Sequence, residues 1–165
     1  MVMKYITDKL NKKTVLLFLC TLSWMGLIFY FSAQPADSSK EASGKVLESI
    51  MVAVKWIFGQ DVPCFSAGIF LETDHYVRKA GHAFEYLVLG ALVVMLVKTL
   101  GIRRVFLISL LVCASYAVSD ELHQMFVPGR GPMASDVALD TSASAAAILL
   151  NVCYTKFIHQ KDMKK

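Results

Sequence analysis

Long stretches of this chain contain no lysine or arginine, and they constrain the fold more than any other feature. All 17 basic residues fall in six places along the chain, at positions 4–13, 40–55, 78–79, 98–104, 130 and 156–165. Apolar residues fill the intervals and raise the hydrophobic share of the sequence to 56%. A lysine or arginine at the centre of a membrane helix costs roughly 2.5–3.5 kcal/mol on insertion scales, so this partition indicates an integral membrane protein. It does not favour the alternative, a soluble protein with several fully buried helices.

The first apolar block follows a basic N-terminal segment, a pattern that signal peptides share with first membrane helices. The run Thr14–Phe31 has 18 uncharged residues. It is longer than the usual signal-peptide core, and long enough to cross a hydrocarbon layer of about 30 Å. The triplet Ser32-Ala33-Gln34 matches a cleavage site only in part. We therefore interpret this block as a retained membrane helix.

The chain as a whole predicts an all-α membrane protein, with four transmembrane helices in one domain covering residues 1–165. The expected spans are about 14–31, 81–97, 105–126 and 136–154, and the one long connection is 32–78.

Within that connection, a second kind of helix is expected between the first two spans. Apolar residues recur at helical intervals over Val46–Phe58, and Ser38 and Glu41 have the spacing of a capping box. The segment is too short for a fifth span and carries charges such as Lys55. We predict an amphipathic helix lying in the membrane interface, with Trp56 at headgroup depth.

The distribution of basic residues predicts the orientation. Eleven of them flank one side of the four spans, and six lie on the other, where the long connection also carries six acidic residues. The positive-inside rule then places both termini in the cytoplasm and the long connection outside the cell membrane. Arg78 and Lys79 run against the rule, which suggests a local role for them. The net charge of +4 comes from residues at helix ends, and no basic stripe with interleaved aromatics indicates nucleic-acid binding.

Acidic, histidine and glutamine residues occur inside three of the predicted spans, where such residues are costly and are functional candidates by default. In the predicted topology all of them lie near the outer leaflet, and the four on the third span share an arc of about 160°. They are His82, Glu85, Asp120, Glu121, His123, Gln124, Asp136 and Asp140.

Between the third and fourth spans, prolines and glycines surround Arg130 in the segment 127–135, which predicts a tight non-helical turn. Three roles are open for this arginine. It could contact lipid phosphates at the interface, or it could fold back onto a carboxylate of the neighbouring helices. In the third role its guanidinium is held ready for a substrate phosphate.

Metal binding and cysteine chemistry receive little support. Six of the polar side chains could supply nitrogen or oxygen ligands, but no HExxH or comparable spacing occurs on one helix, so we expect no metal and no cofactor. The four cysteines form no CxxC motif, and we interpret them as inert apolar residues, buried in the case of Cys20, Cys113 and Cys153.

The run from Tyr116 to Arg130, followed by Asp136, resembles the VanZ-like family of bacterial membrane proteins. The resemblance extends over about residues 14–155, and further matching positions are Ser32, Gln34, Arg78, Lys79, His82 and Tyr86. It implies a cell-envelope role, with low-level resistance to the glycopeptide teicoplanin as the property tied to the family, and no agreed reaction. Family members often have Asn and Gly where this chain has Asp140 and Ser144, which leaves the roles of these two residues open.

Three functions are compatible with these residues. The first is a binding or shielding protein that holds a lipid headgroup, a cell-wall precursor or the glycopeptide. Its binding residues would be Ser32, Gln34, Arg78, Lys79, His82, Tyr86, Gln124, Arg130, Asp136 and Asp140. The second is an intramembrane enzyme acting on a phosphate-containing lipid, with catalytic candidates His82, Asp120, Glu121 and His123. The third is a proton-coupled transporter. A purely structural polar network would account for the same residues without any ligand.

Overall fold

The computed structural model describes residues 11–59 and 67–162. Every regular element in these ranges is an α-helix: α1 is Lys12–Ser32, α2 is Ala36–Phe58, α3 is Ala67–Thr99, α4 is Val105–Gln124 and α5 is Ala134–Asp162. Four helical stretches are long and apolar enough to cross a membrane, namely Lys12–Ser32, Tyr76–Thr99, Val105–Gln124 and Ala134–Ile158. The predicted all-α class with four such helices is confirmed.

Helix boundaries differ from the sequence prediction mainly between the first two spans. The connection 32–78 is largely helical, because α2 occupies Ala36–Phe58 and α3 already begins at Ala67 rather than near residue 81. The proposed capping box is wrong. Helix α2 begins directly after Pro35 without any side-chain cap, so Ser38 lies inside its first turn. Cys64, expected in an outer loop, lies outside the described residues.

Helix α3 occupies the centre of the bundle and packs against each of the other four helices, most extensively against α5. Its buried residues form one stripe at helical spacing, from Tyr86 through Leu89 and Val93 to Val97. The residues that complete this core from the other helices are Ile28, Cys113, Ala117 and Ile148. Of the three described cysteines, only Cys113 is buried. The expectation was wrong for Cys20 and Cys153, which lie exposed on outward faces of their helices.

A glycine sets the distance between α3 and α5. A Cβ atom on Gly90 would lie 2.6 Å from the carbonyl oxygen of Ser144, so only glycine allows this approach. At the same crossing, the Ser144 hydroxyl donates a hydrogen bond to the carbonyl oxygen of Tyr86 over 3.0 Å. Small residues of this kind permit close contact between membrane helices, and here they fix the register of α5 against α3.

Candidate functional site

The polar ends of α1, α3, α4 and α5 meet at one end of the bundle. Gln124, the last residue of α4, donates from Nε2 to the hydroxyl of Ser32, the last residue of α1, over 2.9 Å. Lys79 on α3 forms an ion pair with Asp136 on α5, with 2.9 Å between Nζ and Oδ1. The convergence expected from the topology is therefore present in the structure.

Helix α2 folds back over this end and helps enclose two adjoining cavities. The polar one has a volume of about 200 Å³. The other is larger, about 510 Å³, and includes apolar wall residues such as Phe31, Val46 and Val77. Both cavities are lined by Ser39, Arg78, His82 and Arg130, so these residues form a common wall. The site thus joins a cationic compartment to an apolar one.

Arg130 is carried by a turn that requires glycine. Gly129 has φ +74°, a left-handed conformation that other residues rarely adopt. The Arg130 amide donates to the Val127 carbonyl oxygen over 3.1 Å. Burial lowers the pKa of Arg130 below its usual value, although nearby Asp120 opposes the shift, and a guanidinium remains charged under all ordinary conditions.

One of the roles considered for Arg130 is not observed. Among the described residues its guanidinium forms no ion pair or hydrogen bond, whereas Asp136 is paired with Lys79. Glu121 has a different partner, because its Oε2 accepts a hydrogen bond from the backbone amide of Met133 over 2.8 Å. The acidic residues that the sequence offered to Arg130 are thus held by other groups or lie beyond ion-pair distance. The guanidinium faces the cavities instead.

Two other carboxylates lie deeper, below the cavities. Asp120 is 3% exposed and Asp140 is 1% exposed. None of their four oxygen atoms accepts a hydrogen bond of good geometry from a described donor, although the Ser32 and Gln124 side chains lie close to Asp120. An imidazole nitrogen of His82 and one oxygen from each carboxylate all lie within 4.8 Å of one another. The His82 Nδ1 atom is also 3.8 Å from Glu85 Oε2. This cluster joins α3, α4 and α5.

The remaining predicted site residues are placed at the margins. His123 stacks on Phe29 with ring centroids 4.1 Å apart and does not line either described cavity. Tyr86 is fully buried in the core, and Gln34 lines the larger cavity while its Nε2 donates to the carbonyl oxygen of Tyr30. These positions favour structural roles for His123 and Tyr86.

The sequence prediction missed the α2 residues that line the site, whose polar members are Ser38, Ser39, Lys40 and Ser43. Their only signal was the polar face of an amphipathic helix. That pattern does not reveal that α2 packs against α3, or that its first residue is tied to the connection between α4 and α5 by a hydrogen bond from the Ala36 amide to the Pro128 carbonyl oxygen.

Four apolar helices around a cluster of charged residues define a multi-pass α-helical membrane protein with a polar site at one end of the bundle. Residues 17–155 match the model of the VanZ/LLP1 family. The chain belongs to this family, and the resemblance noted in its sequence is confirmed. No curated protein and no solved structure shows significant similarity to it.

Proposed function

We propose that this chain is a cell-envelope membrane protein that binds a phosphate-bearing lipid headgroup in the cavities beneath α2. Both termini lie in the cytoplasm, α2 lies in the outer interface, and the cavities open towards the outer leaflet. The positive-inside rule supports this orientation. The position of α2 in an interface is supported by its exposed apolar side chains, which include Trp56 at 86% exposure and the neighbouring Ile57 and Phe58.

One observation carries the proposal: Arg78 and Arg130, from two different segments, line both the polar and the apolar cavity. A guanidinium binds phosphate oxygens through paired N–H donors, a geometry that a lysine does not offer. The adjoining apolar wall of Phe31, Val46 and Val77 suits the first part of a lipid chain. A headgroup that is both anionic and attached to hydrocarbon matches both compartments at once.

This site also accounts for the glycopeptide tolerance that family membership suggests. A protein that holds a phosphate-bearing cell-wall precursor at the outer leaflet would lower the amount accessible to a glycopeptide. We therefore propose low-level teicoplanin resistance as a consequence of headgroup binding, and the cell-wall precursor as the ligand that produces it.

An intramembrane enzyme is the second candidate, favoured by the position of His82. This residue lines both cavities and also approaches Asp120, so an acid–base group lies beside the proposed phosphate position. A transporter is less well supported, because the described core below the site consists of apolar residues such as Leu89, Val93 and Ile148.

Native mass spectrometry of the purified protein with a polyprenyl phosphate and with the matching polyprenol tests the proposal. We expect binding of the phosphate form, at least about tenfold weaker binding of the alcohol, and a similar loss in Arg130→Gln. Arg103→Gln is the matched control, because Arg103 is an exposed arginine in the connection between α3 and α4 at the opposite end of the bundle. Equal binding of the two lipids would contradict the proposal. A change in the mass of the recovered lipid would favour the enzyme.

A further inference from the structure

The deepest polar cluster brings together residues that the chain places far apart. His82 comes from α3, Asp120 from α4 and Asp140 from α5, and the three potential ligand atoms lie within 4.8 Å of one another. Asp120 lies four residues before the end of α4 and Asp140 six residues after the start of α5, which is about 6 and 9 Å inside the polar end at 1.5 Å per residue. The sequence predicts that all three residues lie near the same end of the bundle, but no spacing within one helix indicates their close approach, because each helix contributes only one of them.

In the described part of the chain Asp140 has no polar partner, and Asp120 has only the neutral side chains of Ser32 and Gln124 nearby, so neither carboxylate is paired with a cation. All four oxygen atoms of Asp120 and Asp140 are buried without a hydrogen bond. Nearby cations do not meet this need, because Lys79 is paired with Asp136 and Arg130 makes no ion pair. A buried carboxylate requires either a proton or a compensating charge, and two adjacent ones make that requirement stronger.

We propose that His82, Asp120 and Asp140 form a binding site for a divalent transition-metal ion, with Zn²⁺ or Mn²⁺ as the expected occupant. One imidazole and two carboxylates are a ligand set that both ions accept. Ligand atoms around a four-coordinate zinc ion lie about 3.3 Å apart for bonds of about 2.0–2.1 Å. Atoms that now lie within 4.8 Å of one another would have to approach by at most about 1.5 Å to reach that spacing.

The charge of the surroundings fits a divalent cation. Among the described residues, five carboxylates at the polar end act on one another electrostatically, those of Glu85, Asp120, Glu121, Asp136 and Asp140. The basic side chains that line the cavities above them are Lys40, Arg78, Lys79 and Arg130, and Lys40 is exposed at the rim. The three inner cations leave two negative charges uncompensated when every carboxylate is ionised. A divalent ion at the unpartnered pair removes that deficit where it is most costly.

Three protein ligands leave a coordination position open, as in catalytic zinc sites. His82 also lines both cavities, so the cluster adjoins the space assigned above to the phosphate group. Glu85 Oε2 lies 3.8 Å from His82 Nδ1, beyond hydrogen-bond distance, so it adds negative charge beside the cluster without holding the imidazole. The metal site stands on its own geometry and does not depend on the phosphate proposal.

The test measures metal content in protein purified without a polyhistidine tag. The protein is stripped with EDTA, incubated with ZnCl₂ or MnCl₂, desalted and analysed by elemental mass spectrometry. We expect about one ion per chain for wild type and at least a tenfold loss in Asp140→Asn and His82→Gln. His123→Gln is the matched control, because His123 stacks on Phe29 outside the cluster, and it should retain the ion.

A second measurement keeps the inference testable when a variant fails to insert. Wild-type protein in nanodiscs should unfold at a higher temperature with Zn²⁺ or Mn²⁺ than in EDTA, because an ion that binds only the folded state stabilises it. Wild type that retains no ion and shows no thermal shift would overturn the site, leaving an acid pair that shares a proton. Undiminished ion content in both cluster variants would overturn it as well. Binding of the phosphate lipid by EDTA-stripped protein is measured separately. This measurement distinguishes failure of the metal site from failure of the headgroup proposal.

Discussion

Replacing Gly90 by alanine tests the packing that brings α5 and its acidic residues to the site. The added Cβ would lie 2.6 Å from the Ser144 carbonyl oxygen, whereas ordinary contact begins at 3.4 Å, so the two helices must separate by 0.8 Å at this point. The same movement would stretch the 3.0 Å hydrogen bond from Ser144 to Tyr86 beyond hydrogen-bonding distance.

The expected magnitude follows from three contributions. Overpacking costs about 1–3 kcal/mol, and the lost interhelical hydrogen bond about 0.6 kcal/mol. Alanine recovers about 1 kcal/mol through its higher helix propensity. Gly90→Ala should therefore lower the free energy of unfolding by about 0.6–2.6 kcal/mol.

Reversible unfolding in mixed detergent and SDS micelles, followed by tryptophan fluorescence, measures this change. Gly81→Ala is the matched control, because Gly81 lies on the same helix and its added Cβ meets no atom within 4 Å. The control should be neutral or stabilised by up to about 1 kcal/mol. Equal stability of Gly90→Ala and Gly81→Ala would refute the close-packing argument.

Three further predictions concern the polar end. Arg130→Lys keeps the charge but loses the paired N–H donors, so glycopeptide tolerance per unit of membrane-inserted protein should fall severalfold in a susceptible host. The control Arg103→Lys should have no effect, and full tolerance with Arg130→Lys would show that a point charge suffices. A double-mutant cycle on Lys79 and Asp136, which are partly buried and 2.9 Å apart, should give a coupling free energy of about 1 kcal/mol in the same unfolding assay. Stability losses of the two single variants that simply add up in the double variant would contradict the ion pair. Glu121→Ala removes the acceptor of the Met133 amide and should lower the free energy of unfolding by about 1–3 kcal/mol, whereas Glu121→Gln should retain most of the stability. Equal losses of stability in the two variants would argue against this hydrogen bond.

The sequence predicted the spans well because a helix that crosses a membrane needs an apolar block without lysine or arginine about as long as the bilayer is thick. Such a block can be recognised from the order of residues alone. The convergence of polar ends followed from the same rule, since antiparallel helices bring Gln124, Lys79 and Asp136 to one side. Both results needed only the order of the blocks and the position of charges within them.

The details of the site depend on three-dimensional packing, which no spacing in the sequence encodes. Asp140 approaches His82 because Gly90 lets α5 lie close to α3, and that contact involves two residues 54 positions apart. Likewise, Arg130 looked ready to pair with a carboxylate because several lie near it in sequence. In the folded chain Lys79 and the Met133 amide hold the nearest candidates.

The proposed headgroup site requires a cavity that opens to the outside of the cell. Labelling of Ser39→Cys measures from which side of the membrane the cavity is accessible. Ser39 lines both cavities, and the variant is made in a background with the native cysteines replaced by serine. Arg103→Cys serves as the control for the opposite end, where the residue is exposed.

Intact cells are treated with a membrane-impermeant maleimide, and inside-out vesicles are treated in parallel. We expect Ser39→Cys to react in intact cells and Arg103→Cys to react only in inside-out vesicles. Labelling of Ser39→Cys only in inside-out vesicles would place the cavity in the cytoplasm and contradict an outer-leaflet headgroup site.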